Sequence, residues 1–198
     1  MGPISVLAGA GSGKTRVLTT RIYHLIKEGT PPERILAVTF TNKAAREMRE
    51  RLADIIHGGT LPFVATFHGL GRELLQSYGR AIGVPRYFSV WDRDDSERAI
   101  KEALKEMDID PKEVPSRAIL SRISKAKGEG MTANEFRAKH GGEGFRSRIT
   151  GEVWLKYDAA LEREKGLDFD DLIAKPVALL EGNAEARELA QNRFDYIH

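Results

Sequence analysis

Ala8-Gly9-Ala10-Gly11-Ser12-Gly13-Lys14-Thr15 is the stretch that decides how the rest of this chain is read. An apolar run, Ile4–Ala8, precedes it. Val17, Leu18, Ile22, Leu25 and Ile26 follow at helical spacing, up to a stop near Gly29. A glycine-rich turn between a strand and a helix is the context of a phosphate-binding loop. Its glycines let the backbone curl so that successive N–H groups point at phosphate oxygens, and the helix adds the positive end of its dipole. In such a loop Lys14 neutralises the β and γ phosphates and the Thr15 hydroxyl holds Mg²⁺. The strict pattern opens on glycine, where this chain has Ala8. The competing reading is a plain glycine-rich turn, and the strand–turn–helix setting argues against it. The expected nucleotide contacts are therefore Ala8, Gly9, Ala10, Gly11, Ser12, Gly13, Lys14 and Thr15, with Arg16 directly after them. Lys14 and Thr15 are the members expected to act on the phosphates and the metal.

Outward from the loop, strand and helix patterns alternate. Ile35–Phe40 reads as a buried strand. A helix follows, with Ala44, Ala45, Met48, Leu52, Ile55 and Ile56 on its apolar side and Arg46/Glu50 and Glu47/Arg51 four apart on the other. Phe63–Phe67 reads as a third strand, leading into a helix with Leu70, Leu74, Leu75 and Tyr78 in phase. That alternation specifies an α/β fold with a parallel sheet and crossover helices, and such sheets place ligands at the carboxyl ends of their strands. From about Tyr78 helical patterns take over, apart from a strand signal at Tyr87–Trp91. Ile100, Ala103, Leu104 and Met107 share one face, as do Ile149, Val153, Tyr157 and Leu161. Residues 78–166 thus read as a mostly helical insertion between residues 1–77 and a returning segment, 167–198, in which Phe194–Ile197 has the look of another buried strand.

The composition bounds the function classes. Hydrophobic residues at 41% with 30% charged describe a folded globular chain and not a disordered one. The Met1–Ser5 start carries no export signal, no lipid-anchor signal and no basic flank, and no apolar run is long enough to span a bilayer. The absence of cysteine excludes disulfides and thiolate metal sites and fits a cytoplasmic location. A net charge of +2 gives no global electrostatic footprint, but residues 112–148 carry nine basic side chains against four acidic ones. That surplus is either a solvated face or a surface for phosphates.

Several stretches together resemble UvrD/Rep-type superfamily 1 DNA helicases. Ala8–Arg16 and then Ala37-Val38-Thr39-Phe40-Thr41-Asn42-Lys43-Ala44-Ala45 are similar to that family's first two motifs, and Thr66-Phe67-His68 to its next DNA-contacting motif. Leu167-Asp168-Phe169-Asp170-Asp171-Leu172 resembles the segment where the family's inserted domain ends. Arg193-Phe194-Asp195-Tyr196-Ile197-His198 resembles the strand leading into its second nucleotide motif. The resemblance runs from Val6 to His198 in order. It implies a RecA-like phosphate-loop fold with helices on both sheet faces, ATP and Mg²⁺ as cofactors, and 3′-to-5′ translocation on single-stranded DNA and single/double-strand junctions. It further implies DNA contacts at Thr39, Phe40, Thr41, Asn42, Thr66 and His68.

Physical chemistry agrees with the resemblance at some of these positions. Thr39–Asn42 passes from a strand end to a helix N-terminus and offers N–H groups and hydroxyls to a phosphate. Phe40 is either a core residue ending its strand or a platform for an unstacked base. His68 is either a backbone contact or a solvent-facing residue. Asp168, Asp170 and Asp171 fit the start of a helix better than a metal site, Asp168 as N-cap and the other two in the first turn. The helix they open is expected to stop or kink at Lys175, before Pro176.

In the family, the strand at 194–198 runs into an acidic pair that holds Mg²⁺, and an arginine finger from a second motor domain adds ~10³–10⁵ in rate. These residues by themselves are therefore expected to turn over little or no ATP, and an uncovered sheet edge leads to an expectation of self-association. Three other readings stand beside this one. They are a non-catalytic module for single-stranded DNA or a protein partner, the helicase part of a RecB/AddA-like helicase–nuclease, and an unrelated phosphate-loop kinase. The stretches 39–45 and 167–172 have no evident use in the last.

Overall fold

Ile35–Thr39 (β1) is the centre of a parallel sheet because its short apolar run is followed at once by a helix it can cover. The computed structural model describes residues 3–9, 11–110 and 112–198. The chain divides into two compact units, Met1–Leu70 with Glu188–His198, and Gly71–Arg187. In the first unit, Lys14–Lys27 (α1) is followed by β1, then Asn42–Ile56 (α2) and Phe63–Thr66 (β2). β2 pairs parallel with β1 from Leu36↔Phe63 to Thr39↔Thr66, the arrangement a crossover helix requires. Tyr196–Ile197 (β5, numbered after the strands of the second unit) lies on the other side of β1, with Ile35↔Tyr196 and Leu36↔Ile197 in register. Ile22 and Leu25 of α1 and Ala45, Met48 and Leu52 of α2 bury against Ile35, Ala37 and Val64. Each large aliphatic side chain buried this way contributes about 1.5–3 kcal/mol. The Thr41 hydroxyl starts α2 by accepting the Ala44 N–H at 3.1 Å. The returning segment is tied by Arg34, whose guanidinium forks onto the Asp195 carboxylate and also donates to the Asn192 carbonyl.

Four expectations are corrected in this unit. Ile4–Ala8 forms no strand. Leu7 is 97% exposed, and the ladders of this sheet join only β2, β1 and β5, so the run pairs with none of them. A strand needs a partner as well as an apolar pattern. Val17 is exposed instead of lying on the buried face of α1, because the first turn of that helix stands clear of the core. Phe67 is the first residue of the next helix, Phe67–Tyr78 (α3), and not the end of β2. Phe194–Ile197 is shorter and less buried as a strand than its composition suggests, with Ile197 at the surface. On α2, Arg46 meets Glu50 as expected, while Glu47 faces Lys43.

The second unit is mostly helical. Ser89–Val90 (β3) pairs parallel with Gly166–Leu167 (β4). Between them run Arg93–Glu106 (α4), Ser116–Gly128 (α5), Ala133–His140 (α6) and Phe145–Arg163 (α7), followed by Asp171–Gly182 (α8) and Ala184–Gln191 (α9). Reciprocal capping boxes open α4 (Asp92 with Asp95) and α6 (Thr132 with Glu135). The core includes Ile100, Leu104, Val153, Tyr157 and Leu161, on the faces that the periodicity marked, and adds Ile119, Ile123 and Trp154. A second cluster joins Leu75 and Val84 to Leu167, Leu172 and Leu179.

α8 does not stop at Lys175: it continues through Pro176 to Gly182. Proline lacks the N–H that would bond the carbonyl four residues back, so the Leu172 carbonyl loses its helical partner. α3 packs onto that spot through Gly71, where an added Cβ would lie 1.9 Å from the Leu172 oxygen and 3.2 Å from Pro176 Cγ. The proline is accommodated because glycine lets two helix backbones meet there.

The N-cap of α8 is Asp170, with no cap bond from its side chain, and not Asp168 as expected, although Asp168 still bonds the first N–H of the helix. Asp168 Oδ1 accepts the Asp171 N–H at 2.8 Å, and Asp171 Oδ2 accepts the Asp168 N–H at 3.3 Å. They also do something the sequence did not reveal. Lys127, counted above among the surface bases, is 6% exposed, with its ammonium 2.7 Å from Asp168 and 3.0 Å from Asp171. The Tyr157 hydroxyl donates to Asp168 at 2.9 Å and lies 2.9 Å from the Ser96 hydroxyl. Burial works against the charge on Lys127, but Asp171 and Asp168 outweigh it and hold the ammonium above its usual range. Among the other bases of residues 112–148, Arg117, Lys125 and Arg137 face Glu97, Glu129 and Glu152, so the basic surplus is less concentrated in space than in sequence.

Candidate functional site

The loop before α1 is shaped by two left-handed glycines, Gly11 (φ 73°) and Gly13 (φ 86°). Other L-residues adopt that conformation at a cost, and it turns successive N–H groups to one side. Ser12 closes the turn by donating its hydroxyl to the Gly9 carbonyl at 2.7 Å. Lys14 folds back over the loop and donates to the carbonyls of Gly9 at 2.6 Å and Ala8 at 3.1 Å. No side chain caps α1 at Gly13, and no acidic residue lies in its first turn, so the positive end of a 14-residue helix meets solvent uncompensated. Lys14, Thr15 and Arg16 are all exposed there. Ala10, also expected in this loop, lies outside the described residues. An open groove of about 620 Å³ runs from Gly11, Ser12 and Gly13 along Arg16, Val17 and Thr20 to Arg21 and His24. The last three were not singled out from sequence, although their spacing from Arg16 and Val17 puts them on the same side of α1.

A second group collects at the carboxyl end of the sheet. Register pairs Thr39 with Thr66, so the residues that follow each of them leave the sheet side by side. Phe40 is 89% exposed and its ring centroid lies 5.5 Å from that of Phe67, tilted by 57°. Exposure removes the core reading of Phe40. Two hydroxyls are already engaged locally: Thr39 donates to the Thr41 carbonyl at 3.1 Å, and the buried Thr66 accepts the Gly69 N–H at 3.1 Å. Thr41 serves as the cap of α2, and Asn42 is the exposed first residue of that helix. His68 is exposed in the first turn of α3. The structure therefore gathers Thr39, Phe40, Thr41, Asn42, Thr66 and His68 at one sheet end and adds Phe67. A signal for Phe67 existed, because an aromatic residue directly follows each of two parallel strands.

Among the described residues, no helix is long and apolar enough to cross a membrane, and no group of His, Cys, Asp or Glu could hold a metal ion. The Thr15 hydroxyl suits Mg²⁺ as a single protein ligand, since that ion draws most of its ligands from phosphate and water.

Comparison with known proteins places the whole chain. The chain is 43% identical over its whole length to the ATP-dependent DNA helicase PcrA of Bacillus subtilis (strain 168), covering 27% of that protein. It is 39% identical to the ATP-dependent DNA helicase PcrA of Leuconostoc citreum, covering 26% of it, and 40% identical to that of Staphylococcus aureus (strain Mu50 / ATCC 700699), covering 27%, in each case over 100% of this chain. It thus spans about a quarter of the length of these curated relatives. The UvrD/REP helicase N-terminal domain model matches residues 1–198. With a phosphate-type loop, an exposed aromatic pair at the sheet end and a whole-length match, the chain belongs to the UvrD/REP helicase N-terminal domain family.

Proposed function

We propose that these residues are the portion of an ATP-dependent 3′-to-5′ DNA helicase that binds ATP–Mg²⁺ and single-stranded DNA, including single/double-strand junctions. The observation that carries the nucleotide half is the loop, with two left-handed glycines and Lys14 held against it at an uncapped helix N-terminus. Backbone N–H groups from Gly9 to Thr15 cradle the phosphates, with Ala8 closing the far side and Arg16 beside them. Lys14 turns its ammonium from the loop carbonyls to the β and γ oxygens, and the Thr15 hydroxyl contributes to the Mg²⁺ shell. Bound Mg²⁺ would neutralise phosphate charge. The direction of translocation rests on the family resemblance. In this reading residues 1–77 and 167–198 form the motor domain and 78–166 its inserted domain.

Titration of Mg²⁺-ATPγS into the chain by calorimetry tests the nucleotide half. Saturable binding is expected, and Lys14→Ala is expected to weaken it ~10–100-fold, the equivalent of one lost charged hydrogen-bonding group at about 1.5–3 kcal/mol. Equal affinity in the two proteins would sink the reading.

The DNA half rests on Phe40 and Phe67. Their rings offer stacking faces, while Thr39, Thr41, Asn42, Thr66 and His68 supply backbone contacts at the strand ends. Stacking is worth ~1–3 kcal/mol per base, so Phe40→Ala should weaken oligothymidylate binding, read by fluorescence anisotropy, about 5–150-fold. Lys14→Ala should leave that binding intact without nucleotide. Unchanged anisotropy curves for Phe40→Ala would remove the aromatic pair from the DNA site.

A further inference from the structure

Inside the helical unit two carboxylates hold one ammonium, and a third stands within reach of its field. Lys127 of α5 contacts Asp168 and Asp171, and Asp158 of α7 stands close enough to feel all three charges. Asp158 has a partner of its own: its Oδ1 accepts the indole N–H of Trp154, one turn earlier, at 3.2 Å. The groups that face it come from several elements. α5 presents Lys127, the turn before α8 presents Asp168, and α8 presents Asp171 and Lys175. α4 meets α7 through Ser96 on Tyr157 and Glu106 on Lys156, and α6 meets it through Arg137 on Glu152. Glu162 and Lys165 line the same cavity of about 470 Å³ as Asp158, Asp171 and Lys175.

The charges do not balance locally, because Lys127 is already shared by Asp168 and Asp171. We infer that Asp158 is the proton-accepting member of a buried charge latch that locks the first turn of α8 onto α5 and α7, so that uptake of one proton there tightens the helical unit. Burial is the larger influence on Asp158 and pushes it up to about 6, with Lys127 pulling the other way and Asp171 adding to the rise. Burial raises Asp171 too, against the pull of Lys127. A carboxyl group held above its unfolded value stabilises the fold when protonated, and that contribution disappears as pH rises through the folded value. The helical unit should therefore gain stability as pH falls from about 7.5 to about 5.5. A carboxylate such as Glu97, which Arg117 and Arg93 hold below its usual range despite its burial, has the opposite sign.

The chain's two tryptophans, Trp91 and Trp154, are both buried in this unit, so their emission reports on it alone. The experiment is a pH titration of tryptophan emission and of the thermal midpoint, for the wild-type chain and for Asp158→Asn. Asparagine keeps an acceptor for the Trp154 indole. In the wild type the midpoint should rise by several degrees on acidification, and the emission should follow one proton near pH 6. In Asp158→Asn the step near pH 6 should be lost from the emission, and the rise of the midpoint should be reduced to what Asp171 alone supplies. Parallel pH profiles for the two proteins would overturn the proposal. So would a carboxyl ¹³C NMR titration of the wild-type chain that placed Asp158 in the ordinary carboxylate range, a measurement that does not depend on the variant folding. Neither result touches the nucleotide or DNA reading.

Discussion

Gly71→Ala is expected to destabilise residues 71–187 by at least about 3 kcal/mol, above the usual 1–3 kcal/mol range for overpacking. The new methyl would lie 1.9 Å from the Leu172 oxygen and 3.1 Å from the Leu172 carbonyl carbon. These are backbone atoms, so no side-chain rotation relieves the contact. α3 must retreat from α8, and the cluster of Leu75, Val84, Leu167, Leu172 and Leu179 opens with it. Alanine's better helix propensity, up to ~1 kcal/mol, cannot offset this. Gly128→Ala at the end of α5 is the matched control, because a Cβ there meets nothing within 4 Å; its effect should stay within about 1 kcal/mol. Urea denaturation followed by tryptophan emission measures both. A Gly71→Ala protein as stable as Gly128→Ala would mean that the two helices do not meet backbone to backbone.

Lys127→Met should be comparably severe. Methionine fills the space of the aliphatic stem but leaves Asp168 and Asp171 facing each other, and breaking a buried ion pair from one side costs about 3–5 kcal/mol. The loss should depend on pH. Near neutrality the orphaned carboxylates repel one another, whereas in acid they take up protons and the penalty shrinks. Removing part of the excess charge should also help, so Lys127→Met with Asp171→Asn is expected to be more stable than Lys127→Met alone. Denaturation midpoints for the three proteins at about pH 7.5 and 5.5 decide the matter. A single variant that loses less than about 1 kcal/mol at the higher pH would show that the ammonium does not hold the cluster together.

What the sequence disclosed and what it hid divide along physical lines. β1, α2 and the apolar face of α3 were legible because their signals are local, an apolar run and two helical stripes, and the hydroxyl that caps α2 lies within three residues of the N–H it accepts. The glycine loop was legible for the same reason, since left-handed positions announce themselves as glycine. Ile4–Ala8 was misread because an apolar run records only a tendency to pair, and the pairing of β1 with β2 and β5 does not extend to it. At Pro176 a stop or a kink was expected and the stop did not occur, because the compensating residue, Gly71, sits in another helix. Lys127 was misread as surface charge because Asp168 and Asp171 lie 41 and 44 residues further on. In each case a distant residue reversed the meaning of a local one. The sheet-end site was half visible. Its threonines and Phe40 stood out by resemblance, but the pairing of Phe40 with Phe67 required the register of β1 against β2.

The strand order carries a consequence for how the protein is made. β1 pairs with β5, so Ile35 must find Tyr196 after all of residues 71–187 have been synthesised. At ~5–20 residues per second, the wait is on the order of 10 s, during which Ile35 and Leu36 emerge with one flank of their backbone unpaired. The helical unit is continuous in sequence and can finish first. Its folding shortens the loop that the last strand has to close. The hydrogen bonds that then form, His198 N–H to Leu36 and Asp195 N–H to Arg34, both at 2.8 Å, join β5 to a sheet begun early in translation. A lesion such as Gly71→Ala would thus prolong the life of an open strand in a part of the chain it never touches, and would reach the cell as lost yield on the ribosome as well as a lower melting point.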